Sequence, residues 1–242
     1  MEAIKTVSLT KRYSDVLAVD SLNLSVEQGE LFALLGVNGA GKTTTIKMLS
    51  GLTMPTEGDA FLNGKSVISE PDEVKRLIAV SPQETAVAPG LSVKENLELM
   101  AGVHGLSRAG RDEKVRDLSE RLGLEKVMNK KAGKLSGGWQ RRLSIGMALV
   151  SEPQILFLDE PTLGLDVIAR SDLWDLIRTL KGKITVILTT HYMEEAEALS
   201  DRVAIMKDGK MLTCATVDEI KEKTGANTLE AAFIRIVKGE TK

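Results

Sequence analysis

Leu31-Phe32-Ala33-Leu34-Leu35-Gly36-Val37-Asn38-Gly39-Ala40-Gly41-Lys42-Thr43-Thr44 decides how the rest of the chain is read. Its first five residues are apolar without a break, the pattern of a strand buried on both faces of a sheet. Residues 36–43 fit the pattern G-x-x-x-x-G-K-[ST], and Thr43–Leu49 reads as a helix closed by Ser50-Gly51. Strand, glycine loop and helix together are the context that pattern needs. Glycines let backbone N–H groups turn inward around a phosphate chain. The helix start adds unpaired N–H groups and the positive end of its dipole. Lys42 can reach terminal phosphates, and the Thr43 hydroxyl can meet Mg²⁺.

Upstream, Ala3–Leu9 and Leu17–Val26 alternate loosely between apolar and polar residues, with a turn at Glu27-Gln28-Gly29-Glu30. Downstream, Asp59–Leu62 and Leu77–Val80 are strand candidates. Near residue 90 the period changes. Leu97, Met100 and Ala101, then Val115, Leu118 and Leu122, fall at helical spacing, and helix continues to about Val150. The alternating charges of Arg111–Arg121 mark a solvated helix face. Strands return at Ile155–Leu158, Thr185–Leu188 and Arg202–Met206, separated by helices over Ile168–Leu180 and Met193–Leu199. Strand–helix alternation interrupted by an all-helical stretch predicts an α/β sheet carrying a helical subdomain.

The run Ile155-Leu156-Phe157-Leu158 ends in Asp159-Glu160. Strand ends of open α/β sheets face the ligand crevice. There Asp159 can hold Mg²⁺ through its water shell, and Glu160 can take a proton from an attacking water. Composition sets the outer limits. The 242 residues carry 32 Lys+Arg and 34 Asp+Glu, a net charge of −2, so there is no global electrostatic case for nucleic acid. A 43% hydrophobic content allows a sizeable core. The single cysteine, Cys214, excludes an internal disulfide framework and fits a reducing compartment. The longest apolar runs fall far short of the roughly 20 residues a membrane span needs, and Met1–Lys5 opens no secretory signal.

With these residues in place, the chain resembles the ATP-binding subunit of ATP-binding-cassette (ABC) transporters over about residues 4–212. Gly36–Thr44 is similar to the Walker A loop, Gln83 to the Q-loop, and Leu135-Ser136-Gly137-Gly138 to the family's signature. Ile155–Glu160 resembles Walker B with its catalytic glutamate, Gly164-Leu165-Asp166 the D-loop and His191 the switch histidine. Tyr13 sits where the family's adenine-stacking aromatic lies. Two departures stand out. Trp139 replaces a glutamine often seen after the signature glycines, and Leu163-Gly164-Leu165-Asp166 replaces Ser-Ala-Leu-Asp. The second, with Val167–Arg170 and Met193–Glu197, resembles the ABC-2 exporter branch.

The resemblance implies a P-loop NTPase (RecA-like) core with an N-terminal antiparallel β subdomain and an inserted α-helical subdomain. The ATPase domain would cover 1–212, with core at about 1–85 and 151–212 and the helical subdomain at about 86–150; 213–242 would be a short C-terminal extension. It also implies ATP and Mg²⁺ as cofactors. Nucleotide would contact Tyr13, Gly36, Asn38, Gly39, Ala40, Gly41, Lys42, Thr43 and Thr44, with Ser136, Gly137 and Gly138 supplied by a second subunit, in a homodimer. Glu160, His191, Gln83 and Lys42 would carry hydrolysis, with Thr43, Gln83 and Asp159 around the metal. A separate polytopic membrane permease would be the other partner, placing the chain on the cytoplasmic face of the cell membrane, with no nucleic acid bound. His104 matches no motif. In the tail, Asp218–Lys223 reads as a helix, and Leu229–Val237 is apolar enough to pack on the core or on the dimer mate. A non-transport ABC ATPase and an importer ATPase are the alternatives. The stretch from Lys42 to Leu135 lacks the sustained heptads of DNA-acting members.

Overall fold

The computed structural model describes residues 1–240. The chain opens with β1 (Glu2–Tyr13), β2 (Val16–Leu22) and β3 (Ser25–Glu27). It continues with β4 (Leu31–Gly36), α1 (Lys42–Leu49), β5 (Glu57–Leu62) and β6 (Lys65–Ser66). Then come α2 (Pro71–Leu77), β7 (Ile78–Ser81), α3 (Val93–Val103), α4 (Arg108–Arg121) and α5 (Gly137–Leu149). The second half holds β8 (Ile155–Asp159), α6 (Val167–Arg178), β9 (Thr185–Thr190), α7 (Met193–Leu199), β10 (Arg202–Lys207) and β11 (Lys210–Ala215). Two tail helices follow, α8 (Val217–Thr224) and α9 (Leu229–Lys238).

Two sheets form. In the first, β1 pairs antiparallel with β2, β3 and β5, and β6 pairs with β5. The second runs β11-β10-β4-β9-β8-β7 and is parallel except at β11. This is the expected α/β P-loop architecture with its antiparallel β layer. The central strands β4, β8 and β9 are buried along their whole length, and their period-two alternation divides the core. Phe32, Leu34 and Phe157 face a layer shared with α1 and the antiparallel sheet. Leu156, Leu158 and Leu188 face the helical region of α3, α4, α5 and α6. Ala33, Leu35 and Ile205 face α7, α8 and α9. Thus the tail packs on the core sheet.

Some local expectations change. The single strand over Leu17–Val26 is two, because β2 and β3 pair with different halves of the long β1. Leu77 closes α2, which Pro71 opens, and the next strand starts one residue later. Helix α5 begins at Gly137 with Ser136 as its N-cap. A further strand, β11, follows β10, and position 212 lies within it. Among the described residues no helix is long and apolar enough to cross a membrane.

A partly buried ion pair helps to join the two sheets. Arg202 at the start of β10 donates to both oxygens of Glu30, at 2.7 and 3.0 Å, and to the Ser25 carbonyl at 2.8 Å. Glu30 is buried, so losing the guanidinium strands a carboxylate. Arg202→Met should cost at least about 2 kcal/mol in urea unfolding. Adding Glu30→Leu should recover part of that loss; an unchanged single variant would contradict the clamp.

Candidate nucleotide site

Parallel register gathers the site at one edge of the core sheet. Leu35 of β4 lies opposite Thr190 of β9, and Asp159 of β8 opposite Thr189. All three strands therefore end together, delivering the glycine loop, the paired acids and His191 to the same place. After Gly36 the chain turns through Val37–Gly41 into α1. Gly41, the N-cap, has φ +104°, and a Cβ there would stand 2.6 Å from the Ala18 carbonyl oxygen. Only glycine fits that close approach at that φ.

Lys42 is buried, and its Nζ donates to the Gly36 carbonyl at 2.7 Å and the Val37 carbonyl at 3.3 Å. It also lies 3.4 Å from Glu160 Oε1. Glu160 Oε2 meets His191 Nδ1 at 2.6 Å. The lysine, the second acid and the histidine thus form one contiguous line. Glu160 adopts a left-handed φ of +48°, a strained conformation for a non-glycine residue. Two bonds from its N–H secure it, to the Thr189 carbonyl at 3.1 Å and the Thr189 hydroxyl at 3.0 Å. The same Thr189 hydroxyl donates to Asp159 Oδ1 at 2.5 Å, and the Thr43 hydroxyl reaches that oxygen at 3.3 Å. Asp159 and Thr43 therefore stand ready at the mouth of α1 as hard oxygen donors.

Above them opens a cleft of about 790 Å³ lined by Tyr13, Asn38–Thr44, Gln83, Glu160, Leu163 and His191. Gly36 lies beneath it and acts through its carbonyl. Val16, Leu17, Ala18 and Asp208 also line the cleft, and no sequence motif marks them. Their contribution follows from the β10–β11 turn, where the Gly209 N–H donates to the Ala40 carbonyl at 3.2 Å and so buttresses the loop. Ser136 and Gly138 line a separate hollow with Trp139, Arg142, Ala169 and Asp172. Within one chain they do not meet the phosphate loop. A Cβ on Gly138 would lie 2.9 Å from the Ala169 Cβ, so the start of α5 sits tightly on α6. Ser136 makes no side-chain cap, and the first amides of α5 have no intrahelical acceptor. Trp139 is half-buried, with the Arg142 guanidinium over its ring at 5.3 Å.

The arrangement is a glycine loop at a helix start beside an acid–histidine pair. A family model described as ABC transporter matches residues 19–163, more than half of the chain. The chain belongs to the ABC transporter family. It is an ATP-binding, ATP-hydrolysing subunit of that family. It is 42% identical over 228 residues to the daunorubicin/doxorubicin resistance ATP-binding protein of Streptomyces peucetius, covering 94% of this chain and 69% of that one. It is 37% identical to the probable multidrug ABC transporter ATP-binding protein of Escherichia coli, covering 97% of this chain but only 41% of that longer one. Among solved structures, an ATP-binding subunit of an ABC transporter superposes with a TM-score of 0.85 at 29% identity, over 97% of this chain and 99% of the other. A dimeric ATP-binding cassette in a post-hydrolysis state with ADP and Pi gives 0.79 at 28% identity, over 88% and 98%.

Two buried charged residues next to the site were not apparent from sequence. Arg141 of α5 is buried and donates to the Pro82 and Gln83 carbonyls. Glu195 of α7 is fully buried, accepts from Trp174 Nε1 at 3.1 Å, and has the hydroxyls of Thr190 and Thr162 nearby. Its Oε2 and Thr162 Oγ1 nevertheless make no formed hydrogen bond. Burial holds the Glu195 carboxyl above the ordinary range, and the Glu160 charge pushes it the same way. A carboxyl with a raised folded-state pKa costs nothing at acid pH, where both states are protonated. As pH rises past the ordinary carboxylate range, the unfolded chain releases the proton first and stability falls. Glu195→Gln should therefore gain stability over the parent as pH rises from about 4.5 toward neutrality. The gain should vanish at acid pH in denaturant titrations; a difference independent of pH would contradict it.

Proposed function

We propose that two copies of this chain close around two ATP molecules and drive export through a separate polytopic membrane permease at the cytoplasmic face of the membrane. The observation that carries this reading is the split between the two halves of the site. Lys42, Asp159, Glu160 and His191 meet at one cleft, while the Ser136–Gly138 helix start opens into another hollow. In this reading a second chain supplies Ser136, Gly137 and Gly138 to complete the cleft. The exporter direction is supported by the likeness to drug-resistance ATP-binding proteins.

Tyr13, more than a third exposed at the cleft wall, stacks on adenine. The amides of Asn38–Thr44 and the positive end of α1 bind the phosphate chain. Lys42 spreads its charge over the terminal phosphates. The metal fit is good: Thr43, Asp159 and Gln83 are neutral or anionic oxygen donors beside the phosphate loop, the few protein ligands that Mg²⁺ combines with water and phosphate oxygens. When bound, Mg²⁺ neutralises charge that develops on the phosphoryl oxygens. Glu160 accepts the proton of the attacking water, His191 orients that carboxylate and the terminal phosphate, and the rigid Thr189 shelf keeps both acids in place. Most of the acceleration comes from positioning and preset charge.

Glu160→Gln should bind ATP with near-parental affinity, lower kcat by about two orders of magnitude or more, and accumulate as an ATP-held dimer. Sedimentation velocity with and without ATP reads the dimer. A monomer that turns over at the parental rate would refute the role of Glu160.

A further inference from the structure

Arg141 lies on α5, three residues beyond the Ser136–Gly138 turn, and is 4% exposed. Its two terminal nitrogens donate to successive carbonyls of the strand end that follows β7: Nη1 to Pro82 at 2.5 Å and Nη2 to Gln83 at 2.5 Å. One turn on, Ser144 meets Ser81 at 3.0 Å, so the same face of α5 is bolted to β7 twice. These partners are carbonyls rather than carboxylates, and burial works against the guanidinium charge, which only the fields of Asp159 and Glu195 oppose. An apolar side chain of the same size would fill this space at lower cost if packing were the only demand. A buried fork on two backbone carbonyls instead fixes a position.

We propose that Arg141 is a positioning residue for hydrolysis: it ties the backbone of Gln83, at this chain's cleft, to the helix whose N-terminus serves the partner's nucleotide. The inference rests on the two-chain reading above and on Gln83 acting at the metal. Gln83 is itself exposed and its side chain makes no hydrogen bond among the described residues, so its backbone is where its placement is set. Closure of the partner onto the α5 terminus then pulls on Pro82 and Gln83 through a rigid two-pronged contact. Each site would sense through Arg141 whether the opposite site is filled.

The test compares Arg141→Met, Arg141→Lys and Gln83→Ala, each as a single variant for kinetics and each in the non-hydrolysing Glu160→Gln background for binding. Arg141→Met should lower kcat about tenfold or more with KM within about twofold. In the Glu160→Gln background it should raise the Mg²⁺ concentration needed for half-maximal ATP binding, in the same direction as Gln83→Ala. The Arg141→Met/Gln83→Ala pair should add little to Gln83→Ala alone. Arg141→Lys keeps the charge but reaches one carbonyl, so it should fall between parent and Met, and it carries the comparison if the Met variant does not fold. Additive effects, or an Arg141 variant that leaves kcat and Mg²⁺ dependence unchanged while Gln83→Ala shifts both, would overturn the proposal. A Gln83→Ala variant that shifts neither would overturn the reading of Gln83, and the proposal with it.

Discussion

The site depends on the parallel register of β4, β9 and β8. Pairing Leu35 with Thr190 and Asp159 with Thr189 makes three strands stop at one line. A slip of one residue would turn Asp159 toward the other face and take Glu160 out of reach of Lys42. The register is held by burial: Phe32, Leu34, Phe157 and Ile187 face one layer, Leu156, Leu158 and Leu188 another. Both faces would lose their packing in any other alignment. Thr189 then converts register into chemistry, because its hydroxyl and carbonyl together hold Asp159 and the strained Glu160.

Much of this was legible in the sequence for a physical reason. A phosphate loop is built from local constraints, glycines for backbone curvature and a helix start for charge, and local constraints leave a pattern of fixed spacing. The apolar run Leu31–Leu35 and the acid-ended run Ile155–Glu160 show their burial directly. What stayed hidden depends on partners far along the chain. Thr189 is an ordinary strand residue until β8 is laid beside it. Arg141 and Glu195 are charged residues on helices, and charge on a helix normally marks the solvated side. Here their helices are pressed against the sheet on those faces, which only the assembled core decides. The turn at Asp208-Gly209 lies on the glycine loop because β10 pairs with β4, with Met206 opposite Gly36, far away in sequence. β11 lacks a clear apolar alternation because it is an edge strand with one half-covered face.

The two sets of candidate residues stand on different elements. The glycine loop and the acids stand on fully buried strands, whereas Ser136–Gly138 stand at the start of a helix that packs on the sheet through Leu143, Ile145 and Leu149 and is tied to the end of β7 by Arg141 and Ser144. Both sets are therefore carried by one continuous core, and a load on the α5 start is passed to the strand ends through these contacts.

The central claim is that the cleft of one chain is completed by the helix start of another. It is tested most directly by crosslinking between two different variants, both in a Cys214→Ser, Glu160→Gln background. One carries Asn38→Cys and the other Ser136→Cys. After mixing and mild oxidation, a disulfide-linked dimer of the two different chains should form with ATP and Mg²⁺ and not without them. A mixture that stays monomeric with nucleotide, or crosslinks equally without it, would contradict the account.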